Sequence, residues 1–313
     1  MARAYGIRAA MLGQYESVYG TAPGGNYMRL PFVQSNLGAE QGLIEDDLLG
    51  AGRDPADPIR DAISNTGEVT VPVDLRDIGF WLKLAFGQPA TAEPETDAFV
   101  HTFASGSFDV PSAAIEIGHP EVPAFFMHKG VRANGINFTF ERRGGASAVI
   151  PCIAQGEAKA GTSSGGTPTE WVHTRFNQFQ GSVALGGSPL GNVTRATANY
   201  ANNLEIIETI RSDGLIGGAD PVRSAMTGTL DVRFADTALL DVATAGDPVD
   251  LAFAWTIAEV GSLTIAVPRV FLPKPKTPVT GPGGIQASFD WRGARDGTDP
   301  MVTVTLANDV EAY

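Results

Sequence analysis

Two sets of residues in this chain are of the types that could do chemistry, and a serine pattern is the first. The segment Gly161–Gly165 reads GTSSG, which matches a nucleophile elbow, a serine on a strained turn between a buried strand and a helix. It lies inside residues 160–169, AGTSSGGTPT, a small, polar and glycine-rich stretch that predicts a linker. Because the elbow needs that strand and helix, the sequence does not predict a catalytic serine here.

Histidines and carboxylates form the second set, since they act as general bases and metal ligands. The four histidines fall on or beside separate predicted strands, at His101, His119, His128 and His173. Glu116 lies three positions before His119, a spacing that directs the two side chains to opposite faces of a strand. The carboxylates at Asp46–Asp47 and Asp54–Asp57 lack the spacing of an EF-hand. The sequence therefore predicts no catalytic residue, no metal site and no cofactor, and a protein that is not an enzyme.

Composition and charge narrow the function classes. The net charge of −13 makes the chain a poor candidate for tight binding to a phosphate backbone, although nucleic acid passing by is compatible with it. The single cysteine, Cys152, has no disulfide partner and reads as a small buried hydrophobic residue. No stretch approaches the eighteen apolar residues of a membrane span, and residues 9–12 are too short for a signal-peptide core. We expect a soluble protein made in the cytoplasm.

The segment Thr66–Gly87 has the clearest local pattern. Its first part alternates with a period of two, as in a strand with one buried face. The apolar side of that strand is Val69, Val71, Val73 and Leu75, and the polar side includes Thr70 and Asp74. Apolar residues then recur at helical spacing, at Ile78, Trp81, Leu82 and Ala85. Asp77 is predicted as the N-cap of this helix and Gly87 as its left-handed stop.

The same pattern returns about half a chain later. In the segment Thr227–Gly246, apolar residues alternate with Thr229, Asp231 and Arg233. A second predicted helix follows Asp236, ends at Gly246 and buries Leu239, Leu240, Val242 and Ala243. Both helices run ten positions from the capping Asp to the stopping Gly, which indicates an internal duplication.

These patterns predict a mainly β (α+β) fold with two tandem β-sandwich or barrel domains, each with one short helix. The 37 glycines and 21 prolines support a turn-dense β protein. The predicted organisation is an extended N-terminal arm at 1–40, a first domain at 41–159, a linker at 160–169 and a second domain at 170–313.

Several stretches together resemble a known family. The opening ARAYGIRAAMLGQYESVYGTAP, with Gly6, Arg8, Glu16 and Gly20-Thr21, resembles the start of tail tube proteins from long-tailed, non-contractile phages, the siphophages. The order of VPVDLRDIGFWLKLAFG, a proline-rich loop, FVHTF and a meander carrying NGINFTFERRGG is similar to that family too. The resemblance covers most of the chain and is strongest over residues 1–150. It implies two tail-tube-like domains and a structural role, in which inner sheets close into a ring lumen and rings stack into a tube that conducts DNA.

The resemblance also implies partners and a location. The partners are adjacent rings and the tape-measure, tail terminator and distal tail proteins, while genomic DNA passes without specific binding. The location is the virion tail, after assembly in the host cytoplasm. Two alternatives stay open, a neck or baseplate ring protein of the same fold, and a carbohydrate-binding β-sandwich or glycosidase. A sugar site favours clustered exposed aromatic residues, whereas the four tryptophans are scattered, at Trp81, Trp171, Trp255 and Trp291.

The polar and apolar faces of the predicted strands and helices indicate which residues line the lumen and which anchor the helices. A net negative bore would repel phosphates and let DNA slide. The candidate lumen-facing residues are Thr70, Asp74, Asn137, Thr139, Glu141, Thr229 and Asp231. The helix residues expected to anchor each helix on its own half's sheets are Trp81, Leu82, Leu239 and Leu240.

The internal duplication bears on the number of chains in a ring. The resemblance implies a ring with six domain positions. A chain with two copies of the strand–helix pattern would fill two of those positions. We therefore expect a trimeric ring with pseudo-sixfold symmetry. The alternative is a ring of six chains in which only one half of each chain lines the bore.

Overall fold

The computed structural model describes residues 3–45, 47–49, 52–93, 98–276 and 284–313. Within them the fold is mainly β, as predicted. The two α-helices are α1 (Ile78–Phe86) and α2 (Ala238–Ala245), and two 3-10 turns lie at Gly6–Arg8 and Gln178–Gln180. The strands are β1 (Ala10–Tyr15), β2 (Met28–Arg29), β3 (Gln34–Ser35), β4 (Gly38–Ile44), β5 (Ile59–Pro72), β6 (Ala90–Ala92), β7 (Phe99–Ala104), β8 (Ala113–His119), β9 (Ala124–Ala133), β10 (Gly135–Phe140), β11 (Ser147–Ile153), β12 (Gly156–Ala160), β13 (Gly181–Leu185), β14 (Ser188–Pro189), β15 (Val193–Ala201), β16 (Glu205–Ile207), β17 (Gly218–Asp220), β18 (Ala225–Arg233), β19 (Val249–Ile257), β20 (Gly261–Phe271), β21 (Gln286–Gly293) and β22 (Thr303–Asn308).

Antiparallel pairing arranges most strands in three sheets. The first sheet has the order β4–β5–β11–β10–β15–β18–β21, with β3 also paired to β5. The second has the order β14–β13–β19–β20–β22–β7–β6. The third has the order β2–β1–β8–β9–β12. The end of β20 pairs with β21 and the end of β9 with β11, so the three sheets are continuous with one another.

The two halves of the chain share the two larger sheets. Strand β10 of the first half pairs with β15 of the second along its whole length, and β7 pairs with β22. Without these partners β7 and β10 would present open strand edges, which proteins generally cover. One hydrophobic core accordingly includes residues from both halves. The division into domains at residues 160–169 stays a prediction, and each domain would have to share its sheets with the other.

The stretch expected to be a linker is held by hydrogen bonds. The backbone N–H of Thr169 donates to the carbonyl of Tyr27 at 2.8 Å, and the N–H of Tyr27 donates to the carbonyl of Gly165 at 3.0 Å. The N–H of Ser164 donates to the carboxylate of Glu116 at 2.7 Å. The composition of this stretch indicates flexibility, but its backbone is fixed by residues far away in the sequence.

Aromatic side chains fill the space between the first and second sheets. The ring of Phe140 on β10 stacks on Trp255 and on Phe253 of β19, with centroids 3.9 and 5.0 Å apart. Phe253 also stacks on Trp291 of β21 at 5.8 Å. Such stacked pairs add to the free energy gained by burial alone. The core is therefore built by contacts between the halves.

Both predicted helices form within the predicted limits, but their environments differ. Helix α1 ends at Gly87, whose φ of 96° favours glycine, and α2 ends at Gly246 with a φ of 75°. The carboxylate of Asp236 accepts a hydrogen bond from the N–H of Ala238 at 3.0 Å, whereas the Asp77 side chain makes no capping bond. All residues of α1 except Lys83 are buried. In α2, only Leu239 and Ala243 are.

The expected anchor residues reflect this difference. Trp81 and Leu82 are buried, and α1 packs against β7, β9 and β10 of its own half. Leu239 is buried and Leu240 is half-buried at the edge of the core. Helix α1 therefore contributes much more buried apolar surface than α2.

Replacing Trp81 with Ala should destabilise the subunit by roughly 3–5 kcal/mol, because it removes a large buried aromatic side chain. Trp81→Phe is the matched control, since it keeps an aromatic ring and removes an indole N–H that has no hydrogen-bond partner. We expect its cost to be clearly smaller. Urea unfolding of both variants measures the difference. If Trp81→Ala instead unfolds at the same urea concentration as the parent but does not assemble, α1 is part of an interface between subunits.

The thiol of Cys152 should not react in the folded protein. Burial raises the pKa of this thiol to about 12, and the negative charge of Glu68 adds to the effect. Because the thiolate is the reactive form, a thiol reagent at pH 8 should label the chain only after it is unfolded. Rapid stoichiometric labelling of the native protein would show that the strand around Cys152 opens readily.

Candidate functional site

Candidate lumen residues from both halves lie on one face of the first sheet. Thr70 is opposite Val149, Val149 is opposite Asn137, and Asn137 is opposite Asn199. Asn199 is in turn opposite Thr227 on β18. These five residues form a row across five adjacent strands, and each is half-exposed. We call this side of the first sheet the polar face.

A second row of the polar face is held together by hydroxyl groups. Thr139 is opposite Thr197, and the hydroxyl oxygens of Thr197 and Thr229 lie 3.0 Å apart. The N–H of Thr229 donates to the Thr197 hydroxyl at 2.9 Å. Side-chain bonds of this kind add to the ladder between strands. They fix the register between β15 and β18.

The third row of the polar face is charged. Glu141 and Arg195 form an ion pair of 3.1 Å, and Arg195 is opposite Asp231. Strand β21 adds charged residues to the other two rows. Asp290 is opposite Thr229 in the second row, and Arg292 is opposite Thr227 in the first row. Both signs of charge therefore alternate on this face, and the acidic surplus of the chain is not concentrated there.

Asp74 is a correction to the expected lumen residues. Its exposed fraction is 0%, and its carboxylate accepts hydrogen bonds from the N–H groups of Arg76 at 2.9 Å, Asp77 at 3.3 Å and Thr174. Strand β5 ends at Pro72, so the alternation that placed Asp74 on the polar side no longer applies there. The other six candidates are half-exposed or exposed.

Sequence reasoning missed a second half-exposed face, which belongs to the second sheet. One row across it is Ala254, Thr264, Thr305 and Thr102, on four adjacent strands. We call this side the small-residue face. Its signal in the sequence is the alternation of large buried residues such as Phe253 with Ala or Thr, a contrast in size rather than in polarity.

A cluster of ionisable groups at the turn between β5 and α1 was also missed. The Nδ1 atom of His173 lies 2.9 Å from an oxygen of the Asp77 carboxylate, and Asp74 is adjacent to both. Burial raises the pKa of Asp77 to about 6, the charge of Asp74 adds to the rise, and His173 opposes it. Asp74, Asp77 and His173 are close enough to share a metal ion. No sequence spacing could reveal the cluster, because His173 comes from a distant segment.

The other chemical candidates lie apart from one another. The Ser163 hydroxyl donates to the Glu116 carboxylate, and no helix follows it. His101 and His128 are buried on separate strands, and His119 contacts Phe126. Asp46 lies outside the described residues. Within the described part of the chain, only one group of three or more potential metal ligands is close-packed, the one at the β5–α1 turn.

The tryptophans do not form a sugar-binding surface. Trp81, Trp255 and Trp291 are buried in the core. Trp171 is half-exposed, and its ring packs edge-on against Tyr313 with centroids 5.7 Å apart. Because a sugar platform needs exposed aromatic rings on one face, nothing in their placement supports carbohydrate binding.

Comparison with known proteins gives one family. The family model described as phage tail tube protein matches residues 6–293. No curated protein matches the chain. Among the described residues, neither helix has the length and hydropathy needed to cross a membrane.

The ion pair on the polar face should contribute little to stability. The side chains of Glu141 and Arg195 are 47% and 54% exposed, and exposed pairs typically contribute roughly 0.2–1 kcal/mol. A double-mutant cycle with Glu141→Gln and Arg195→Gln should give a coupling energy in that range that falls as salt is added. A larger coupling energy that salt does not change would show that the pair is shielded from solvent in the isolated subunit.

Proposed function

The chain belongs to the phage tail tube protein family, and we propose that its subunits close into rings that stack into the tail tube of a siphophage. In this proposal the tube conducts genomic DNA into the host, and the protein acts by assembly rather than by catalysis. It would be made in the host cytoplasm and reside in the virion tail. The tape-measure, tail terminator and distal tail proteins would be its partners in addition to its own copies.

The observation that carries this proposal is the polar face of the first sheet. It runs without interruption across strands from both halves, from Thr70 on β5 to Asp290 on β21. The opposite side of the same strands is buried in the core. A sheet with one apolar side covered and one polar side half-exposed is suited to line a water-filled bore. Its balanced charges would give DNA no continuous basic surface to bind.

The strand order supports a ring of three chains. In the first half, β5 lies between the earlier strand β4 and the later strand β11, and it is followed by α1. In the second half, β18 lies between the earlier β15 and the later β21, and it is followed by α2. Strand β10 joins the two groups. Each chain would supply two arcs of the bore, and three chains would complete six positions.

Electron microscopy of the concentrated, purified protein tests the function, and the expected result is tubes of variable length with a central bore. Single rings that do not stack would favour a neck or baseplate ring protein. Particles without a bore at any concentration, with or without an added tail initiator, would contradict a tube role.

The number of chains in a ring is a separate prediction. Native mass spectrometry of a dissociated ring should give three times the chain mass of 32.8 kDa. Cross-sections of the tube should show three-fold symmetry that approximates six-fold, because the two halves differ in their helices. A mass of six chains would favour the alternative in which only one half lines the bore.

Cysteine labelling should show which sheet faces the bore. Thr139 on the polar face and Thr305 on the small-residue face are both half-exposed threonines on central strands. The native Cys152 is buried and should stay silent. A maleimide on a polymer too large to enter the bore should label Thr139→Cys in dissociated subunits but not in tubes. It should label Thr305→Cys in subunits and tubes alike. The reverse pattern would assign the bore to the second sheet.

A further inference from the structure

We propose that Asp74, Asp77 and His173 form a divalent-cation site that ties the β5–α1 turn to the segment before the second half. One ligand atom from each of these side chains lies within 4.8 Å of the other two. Small shifts from such spacing bring three atoms to the roughly 2.0–2.2 Å that zinc requires from imidazole nitrogen and carboxylate oxygen. Water could complete the coordination, because a three-ligand site leaves one position open.

The unpartnered oxygen of Asp77 is independent support for a ligand. Asp77 is 1% exposed. One of its carboxylate oxygens, Oδ2, lies against His173, while the other, Oδ1, is buried without a hydrogen-bond partner. Leaving a charged oxygen buried and unpaired costs free energy, and most such atoms in proteins have a partner. A cation would supply one.

Asp74 keeps the capacity to bind as well. Its Oδ1 accepts two backbone hydrogen bonds, from Arg76 and Asp77, and its Oδ2 accepts one from Thr174. Because each carboxylate oxygen has two lone pairs, Oδ2 retains one for a metal. These backbone bonds also hold the carboxylate in a fixed orientation, as outer-shell contacts do in metal sites.

The charges at the turn favour a cation. Two carboxylates lie together, and the nearby guanidinium of Arg76 is committed to Asp309 through two contacts of 2.7 Å. His173 gives access from solvent, since its side chain is 42% exposed. It also lines a surface cavity of about 470 Å³ together with Glu170 and Arg29. An ion could therefore reach the buried carboxylates past the imidazole.

The mixture of ligands points to zinc rather than to calcium or magnesium. Imidazole suits zinc and related transition metals, whereas calcium and magnesium prefer oxygen atoms alone. A bound ion would join Asp74 and Asp77 of the first half to His173 of the second. It would therefore add to the stability of the turn on which α1 begins.

Titration calorimetry with zinc chloride on the full chain, treated first with a chelator and then dialysed at pH 7.5, tests the site. One zinc ion per chain should bind, and calcium and magnesium should bind much more weakly or not at all. The melting temperature should rise with zinc. His173→Gln should weaken zinc binding at least about tenfold, because losing even outer-shell partners costs roughly 10–100-fold.

Two further variants distinguish the site from alternatives. His119→Gln is the matched control, since His119 is half-buried and is not one of the three clustered ligands, and it should bind zinc like the parent. Asp77→Asn should abolish binding while the folded state is verified by circular dichroism. The proposal would be overturned if the parent showed no saturable zinc binding, or if His173→Gln bound zinc as tightly as the parent. In that case a proton shared by the carboxylates of Asp74 and Asp77 would occupy the cluster instead of a metal ion. The result is independent of whether tubes form.

Discussion

The turn from β5 into α1 is buried, and its backbone polar groups must find partners without help from solvent. Three distant segments supply them. The N–H of Val73 donates to the carbonyl of Ala146 at 2.9 Å, and the N–H of Leu75 donates to the carbonyl of Thr174 at 2.9 Å. The side-chain amide of Asn308 donates to the Leu75 carbonyl at 2.7 Å. Residues 73–77 thereby join the first sheet, the start of the second half and the end of the chain.

Helix α1 and the C-terminal residue depend on this turn. The Tyr313 hydroxyl donates to the carbonyl of Arg76 at 2.7 Å, and Lys83 donates to the backbone oxygen of Tyr313 at 2.6 Å. The Tyr313 ring lies so close to α1 that a Cβ atom at Gly79 would be 2.1 Å from it, so any side chain at this position would have to displace the ring. The side chain of Tyr313 is thus packed against the core around the first helix. These contacts hold α1 in a fixed position against the strands that pack on it, β7, β9 and β10.

That construction leaves one side of each large sheet accessible to solvent. The two large sheets share one core, and each presents a half-exposed side made of a different kind of residue. The polar face carries paired charges and hydroxyl groups, whereas the small-residue face has Ala and Thr in matching rows. The chain belongs to a family of tail tube proteins, and within the described residues the histidines and the serine considered for catalysis lie apart from one another.

Periodicity, cap residues and glycine positions determined the local elements. Alternation at residues 69–72 and helical spacing between Asp77 and Gly87 depend on neighbours within a few positions, so the sequence was sufficient for the mainly β fold and for both helices. The order of such elements was also enough to indicate the family. The tertiary structure alone decided which strands pair across the halves, that Asp74 is buried, and that His173 meets Asp77. Those outcomes depend on hydrogen bonds and packing between residues that are far apart in the chain, such as Gly135 with Ala201, Phe99 with Asn308 and Asp77 with His173, and no local pattern encodes them.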